Sequence, residues 1–183
     1  MMYIVNCWLR NGVDIYQKEL VSEVYKKFGL VITKEENLPT HFTLKYWFET
    51  DKISEIESIF ERFAKTHKKA QVRVGGFGSF PPKVVFLNCV LSPAAKKIFS
   101  DLVAELKKVS WLPWDKYDAE GAHFHSTIVE ECNEKFNEVL NFVQSKEPKY
   151  FDCWFDNLTI LKKVGGTRCF GKWELHKTFE LKE

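Results

Sequence analysis

A histidine–threonine motif occurs twice in this sequence, as H-F-T-L at residues 41–44 and as H-S-T-I at residues 125–128. Each segment reads as a β-strand, in which residues i and i+2 point to the same face. One face of each strand therefore carries an imidazole and a hydroxyl, and the other face is apolar. Two such faces, if brought together, supply an acid, a base and two hydrogen-bond donors, which suits reactions at a phosphoryl centre.

The residues around each motif extend the same alternation. On the first strand one face is expected to carry His41, Thr43, Lys45 and Trp47. The opposite face of that strand is apolar and carries Phe42, Leu44, Tyr46 and Phe48. On the second strand the polar face carries His123, His125 and Thr127. Both strands are therefore expected to pack one face against a core and to turn the other towards a polar cleft.

A third copy, H-K-T at residues 176–178, shows that a single motif is weak evidence. There the apolar alternation falls on the neighbouring positions, so His176 and Thr178 are expected on the solvent side of a terminal strand. We interpret this copy as a coincidence.

Composition restricts the class of protein and of partner. Of the 183 residues, 45% are hydrophobic and 28% are charged, which is typical of a globular protein, and the net charge of +2 argues against binding to long duplex DNA. A small nucleotide or a short RNA fits better. Five scattered cysteines without a C-x-x-C pair indicate a reducing, cytoplasmic setting, and no segment reads as a signal peptide or a membrane span.

Hydrophobic periodicity predicts the element order β-α-β-α-β-β-α-β-α-β-β. The last two strands are predicted at residues 150–162 and 168–181, as a hairpin around Gly165-Gly166. The predicted fold class is α+β, with two related lobes, each an antiparallel sheet backed by helices, and a central cleft between them.

The chain resembles the 2H phosphoesterase superfamily, which includes the 2′-5′ RNA ligase-like cyclic phosphodiesterases. The resemblance rests on the two motifs, on the segment GFGSFPPKVVFL at residues 76–87 and on the final hairpin with Trp173 and Phe179. It implies one bilobal domain over residues 1–183, a cleft lined by both motifs, and a phosphodiesterase that uses no metal and no cofactor. It also implies substrates with a 2′,3′-cyclic phosphate or a 2′-5′ linkage, and a place in RNA processing.

The motif residues can be given roles in that reaction. One of His41 and His125 would take a proton from the attacking water, and the other would protonate the departing ribose oxygen. Thr43 and Thr127 would donate hydrogen bonds to the non-bridging oxygens. Which histidine is the base, and whether hydrolysis or ligation is favoured, stays open at this point.

Four further residues are candidates for substrate binding. Lys45 shares the motif face and could meet a phosphate, and His123 precedes the second motif on the same face. Phe80 and Trp114 could stack on a base. Tyr117 and Lys83 are placed similarly in the sequence, and we expect a monomer.

Two other functions stay open. The first is a metal hydrolase, because His123-x-His125 is a possible metal-binding spacing on a strand and His41 could be a third ligand. The second is a non-catalytic module of the same fold that binds nucleotides or RNA.

Overall fold

The strands and helices described here come from a computed structural model of the chain, which describes residues 1–30, 38–166 and 171–183. The strands are β1 (Met2–Trp8), β2 (His41–Glu49), β3 (Ala70–Phe80), β4 (Val84–Leu91), β5 (His125–Val129), β6 (Tyr150–Phe155), β7 (Asn157–Gly166) and β8 (Gly171–Glu180). The helices are α1 (Gly12–Phe28), α2 (Ile53–Ala64), α3 (Pro93–Leu106) and α4 (Phe136–Gln144).

The described strands form two antiparallel four-stranded sheets. The first sheet has the order β2-β1-β7-β8 and the second has the order β5-β4-β3-β6. The α+β prediction with two sheets is therefore confirmed. Each motif strand lies at the edge of its sheet, and β2 and β5 contact one another across the gap between the sheets.

The prediction of one strand at residues 150–162 is wrong. The chain crosses from the second sheet to the first at Asp156, between β6 and β7. Asn157 secures the start of β7, because its amide accepts a hydrogen bond from the Trp8 N–H and donates one to the Trp8 carbonyl, each at 3.0 Å. The predicted start of the last strand, Arg168, lies outside the described residues.

Helices pack on both sheets. Helix α1 packs on β5 and β6 of the second sheet, whereas α2 packs on β7 and β8 of the first. Helix α3 begins as its sequence predicts, with Ser92 as the N-cap that accepts a hydrogen bond from the Ala95 N–H and Pro93 in the first turn. It packs on β3 and β4 and also on α2.

One hydrophobic core joins both sheets. The ring of Phe42, on the apolar face of β2, lies edge-on to Phe124 and to Phe155, with centroid distances of 5.7 and 5.6 Å. All three rings belong to the same core or pack against it. Because the apolar face behind the first motif packs on residues of the second sheet, the two motif strands are held at a fixed separation.

Candidate active site

The two motifs meet at one cavity. A cavity of about 770 Å³ between the sheets is lined by His41 and Thr43 from β2 and by His125 and Thr127 from β5. The structure thus brings together the four residues that the motifs single out.

Both imidazoles are held by the same backbone arrangement. Nδ1 of His41 lies 2.6 Å from the carbonyl oxygen of Pro39, and Nδ1 of His125 lies 2.7 Å from that of His123. A carbonyl oxygen only accepts, so Nδ1 carries the hydrogen in each ring. This leaves Nε2 of each ring to exchange a proton with a ligand, as a general acid or base requires.

The cavity disfavours positive charge on both rings. The pKa of His41 is lowered to about 4, mainly by burial and also by the charge of His125, although the hydrogen bond to the Pro39 carbonyl acts in the opposite direction. Burial is also the largest cause that lowers the pKa of His125. The hydrogen bond to the His123 carbonyl opposes this shift, and the charge of the His123 ring adds to it. In the free protein near neutral pH, His41 is therefore a neutral imidazole with a lone pair available.

Helix α1 fixes the second motif through a buried glutamine. The Gln17 amide donates a hydrogen bond to the Thr127 carbonyl at 2.8 Å and accepts one from the Ser126 hydroxyl at 2.6 Å. Gln17 and Ser126 are both buried. Gln17 is not among the residues predicted for the site, although a polar residue on the apolar side of an amphipathic helix is a signal that indicates such a role.

An aromatic cluster supports His125. Phe86 lies 4.8 Å from the His125 ring and Phe80 lies edge-on to it at 5.1 Å, while His123 packs on Phe80 at 5.2 Å. Gly78 on β3 pairs with Phe86, and a Cβ atom at position 78 would lie 2.3 Å from the Phe86 ring. Phe80 and His123 line the cavity, and their contact with a substrate stays a prediction.

The prediction that Lys45 shares the face of His41 and Thr43 is wrong. Asn6 of β1 pairs with Thr43, but its neighbour Val5 pairs with Lys45, so Leu44 is an extra residue that forms a β-bulge. The bulge turns Lys45 to the buried face of Val5, where it is 2% exposed and bonds Asp118 at 2.7 Å. Lys45 does not line the cavity.

The same pairing irregularity places two aromatic residues of β2 at the cavity. Register between β1 and β2 shifts again before Phe48, and the intervening Tyr46 and Trp47 both line the cavity. The alternation predicted only Trp47 on that face. Sequence offers no signal for the second irregularity, because a bulge has no fixed composition unless it needs glycine.

Trp114 does not line the cavity, contrary to the expectation that it stacks on a base there. Its ring lies 5.4 Å from the Lys45 ammonium and 5.8 Å from that of Lys107. Tyr117 of the same loop does line the cavity and lies 5.7 Å from Tyr46. The loop therefore contributes an aromatic ring, from a different position.

Charged residues at the cavity include two lysines and one glutamate. Lys18 of α1 and Lys83 of the β3–β4 turn line it, together with Glu130, which follows the second motif. Lys18 also bonds Asp14 at 2.8 Å and Lys83 bonds Glu131 at 3.3 Å. The lysines are the cations placed to meet a phosphate.

A row of polar side chains crosses the first sheet beside Thr43. Asn6 pairs with Thr43 on one side and with Thr159 on the other, and Thr159 bonds the Thr178 hydroxyl at 3.0 Å. Asn6 is fully buried, and neither atom of its amide has a hydrogen-bond partner in the described part of the chain.

The third motif copy lies outside the cavity. It is half-buried and not on the solvent side as expected, because His176 bonds Glu57 at 2.8 Å.

Other expectations concern metals, cysteines and membranes. Across residues 1–30, 38–166 and 171–183, no three His, Cys, Asp or Glu side chains form a group suited to a metal ion.

Cys7, Cys89, Cys132 and Cys153 are buried free thiols, whereas Cys169 is outside the described residues. Within the described ranges, no helix combines the length and apolar character that a transmembrane span requires.

The sequence matches the family described as the 2′-5′ RNA ligase superfamily over residues 33–167. The chain belongs to this superfamily. The resemblance found in the sequence is thereby confirmed at the level of the family. No match was found among curated proteins.

Several solved structures share this fold. The protein TT0787 of Thermus thermophilus matches with a TM-score of 0.71 at 16% identity, over 99% of this chain and 98% of that one. E. coli LigT in complex with 3′-AMP matches with a TM-score of 0.67 at 12% identity, over 99% and 98%. Kluyveromyces marxianus Usb1 matches with a TM-score of 0.53 at 17% identity, over 98% of each chain. At these identities the likeness concerns the fold.

Proposed function

We propose that this member of the 2′-5′ RNA ligase superfamily is a metal-independent phosphodiesterase. Its substrates would be nucleotides with a 2′,3′-cyclic phosphate or a 2′-5′ linkage. The observation that carries the proposal is the cavity lined by His41, Thr43, His125 and Thr127, with Nδ1 of both imidazoles bound to backbone carbonyls. The 3′-AMP in the LigT complex supports a nucleotide as the occupant of this cavity.

In this proposal His41 is the general base. Its pKa of about 4 keeps the ring neutral near neutral pH, so Nε2 can accept a proton from water as the water attacks phosphorus. His125 is then the general acid and protonates the ribose oxygen as its bond to phosphorus breaks. The incoming anion favours the charged form of His125, because a nearby negative charge raises an imidazole pKa.

Thr43 and Thr127 stabilise the transition state. Their hydroxyls would donate hydrogen bonds to the non-bridging oxygens, where negative charge grows as water adds to phosphorus. Removing one such donor typically costs about 10²–10³-fold in kcat. Lys18 and Lys83, which also line the cavity, add positive charge for the same oxygens.

The aromatic rings at the cavity are proposed to hold the bases. Tyr46, Trp47 and Tyr117 line one part of the cavity, whereas Phe80 lies beside His125. Stacking of a base on an aromatic ring contributes about 1–3 kcal/mol and tolerates any base. Such a site accepts several nucleotides and does not by itself select one.

A substrate panel in the presence of a chelator tests this proposal. We expect hydrolysis of 2′,3′-cyclic mononucleotides, with the phosphate retained on the 2′ oxygen, and cleavage of a 2′-5′ linked dinucleotide, at rates unaffected by EDTA. ³¹P NMR and chromatography against authentic 2′- and 3′-nucleotides identify the products. Binding without turnover would contradict the proposal and indicate a binding module, and loss of turnover with EDTA would indicate a metal hydrolase.

A further inference from the structure

The second sheet has an open face that continues from the motif strand β5. Directly paired residues of antiparallel strands point to the same face. The register pairs His125 with Asn88, and Arg73 with both Val90 and Asp152. Alternation along the strands then places these side chains on the face of His125 and Thr127: Asn88, Val90, Arg73, Tyr150, Asp152 and Trp154.

Large apolar side chains on this face are exposed. Val90 is 61% exposed, Tyr150 is 55% exposed and Trp154 is 42% exposed. Their neighbours on the opposite face, such as Val72 and Phe155, are buried in the core. A single exposed apolar residue is ordinary, but several on one face beside an active site indicate a binding surface.

Positive charges lie next to the exposed rings. The Arg73 guanidinium lies 5.0 Å from the centroid of Tyr150, and the Lys69 ammonium lies 5.2 Å from that of Trp154. Lys69 also pairs with Glu183, and Asp152 lies between the two rings on β6. A surface of aromatic rings beside positive charges suits single-stranded nucleic acid, because the bases stack on the rings and the phosphates bind the positively charged side chains.

The face is continuous with the cavity. A second, shallower groove is lined by Asn88, Val90, Lys96 and Tyr150, and His123 lines both this groove and the main cavity. A single-stranded nucleic acid that leaves the cavity beside His123 therefore enters the groove without crossing the core.

We propose that this face, defined by Val90, Arg73, Tyr150, Trp154 and the groove beside them, binds the upstream nucleotides of a single-stranded RNA. The terminal phosphate of that RNA lies between the two motif histidines, so the inference rests on the proposed function. Three strand spacings separate β5 from β6, about 15 Å. Four-stranded sheets that bind RNA in this manner stack about two or three bases.

Binding measurements test the surface without any need for turnover. The probes are a fluorescently labelled single-stranded RNA of about six nucleotides with a 3′-phosphate, and 3′-AMP as the mononucleotide. We expect the RNA to bind at least about tenfold more tightly than 3′-AMP. Tyr150→Leu and Trp154→Leu should each weaken RNA binding by about 5- to 150-fold, the range expected for losing one stacked base.

Matched variants separate stacking and charge from general damage. Trp154→Phe keeps a ring and should retain most of the RNA affinity. Lys96→Ala should lower the salt dependence of RNA binding by about 0.7 in the log–log slope, as for one lost phosphate contact. The neighbouring Lys97 is exposed, pairs with Asp101 and does not line the groove, so Lys97→Ala should leave the slope unchanged.

Two outcomes would overturn the inference. One is equal affinity for RNA and 3′-AMP in the unmodified protein, and the other is an equal loss for both ligands in the Tyr150 and Trp154 variants. Failure of the proposed function would look different. A protein that binds RNA through this face but hydrolyses no 2′,3′-cyclic mononucleotide would contradict the phosphodiesterase proposal and support the binding surface.

Discussion

The imidazoles of His41 and His125 control how the proposed reaction depends on pH. The pKa of His41 is lowered to about 4 and that of His125 is lowered from 6.5, mainly by burial in both cases. The base must be neutral and the acid must be protonated, so the active form of the free enzyme exists above the first pKa and below the second.

We therefore expect kcat/KM for a 2′,3′-cyclic mononucleotide to reach its maximum below about pH 6.5 and to fall at neutral and alkaline pH. The maximum of kcat should lie at higher pH, because the bound phosphate anion raises the pKa of His125. Rates measured from about pH 3 to 9 check both limbs. A kcat/KM that keeps rising beyond about pH 7.5 would contradict the assignment.

The buried amide of Asn6 gives a prediction about stability. Both polar atoms of its side chain lack a hydrogen-bond partner among the described residues, and such groups cost about 1–3 kcal/mol. Asn6→Val should thus raise the free energy of unfolding by about 1 kcal/mol or more in urea denaturation. A marked loss of stability would mean that the amide is paired in solution. Asn157→Val, which breaks two hydrogen bonds to Trp8, is the control and should destabilise.

The alternation of polar and apolar residues along the motif strands predicted the polar faces correctly as far as the first bulge in β2. His41, Thr43, His125 and Thr127 line one cavity, as their i, i+2 spacing requires. Lys45 follows Leu44, the extra residue, and so faces the core and not the cavity. A shift of one residue exchanges the two faces of a strand, and the residues themselves do not reveal it.

Among the segments that connect the elements, the loop before β5 depends on one buried ion pair. The Asp118 carboxylate accepts hydrogen bonds from the Lys45 ammonium at 2.7 Å, the Tyr46 N–H at 2.9 Å and the Asp115 N–H at 2.8 Å. Its side chain is 1% exposed and that of Lys45 is 2% exposed. The pair thus ties the loop that carries Tyr117 to the strand that carries the first motif.

Loss of one partner of this pair should be costly. Lys45→Met leaves a buried carboxylate unpaired, for which we expect a loss of about 3–5 kcal/mol in the free energy of unfolding. The double variant Lys45→Met/Asp118→Leu should recover part of that loss, because no buried charge remains.

An exposed pair on α3 provides the control for that comparison. Lys97 lies 2.9 Å from Asp101 and its side chain is 76% exposed, so Lys97→Met should cost at most about 1 kcal/mol. Urea denaturation of the variants measures both effects. Equal, small losses for Lys45→Met and Lys97→Met would show that the loop is not held by the buried pair.

The boundary between β6 and β7, within residues 150–166, could not be predicted from the sequence. The apolar pattern resumes directly after Asp156-Asn157 and no Gly or Pro interrupts it, so it predicts one strand where the structure has β6 and β7 in separate sheets. The crossing is fixed by the side chain of Asn157 on Trp8, a contact between residues 149 apart in the sequence. Local periodicity carries no information about such a partner.

Across the whole chain, the fold class and the pairing of two lobes could be predicted because each depends on repeated local patterns. The arrangement of the sheets could not, since the first sheet combines β1 and β2 with β7 and β8 from the other end of the chain. The cavity arises because the edge strands β2 and β5 contact one another above a shared core. Local patterns indicate which side chains are paired on a face, and long-range packing decides that the two faces meet.

The kinetics of single and double histidine variants test the central claim, that two imidazoles act on one phosphate. We expect His41→Ala and His125→Ala each to lower kcat for a 2′,3′-cyclic mononucleotide by about 10²–10⁴-fold. Groups that act as a unit are not additive, so the double variant should be little worse than the poorer single variant. His176→Ala, in the motif copy outside the cavity, should retain the turnover of the unmodified protein. Near-native turnover by either His41→Ala or His125→Ala, in a protein that remains folded, would contradict the account.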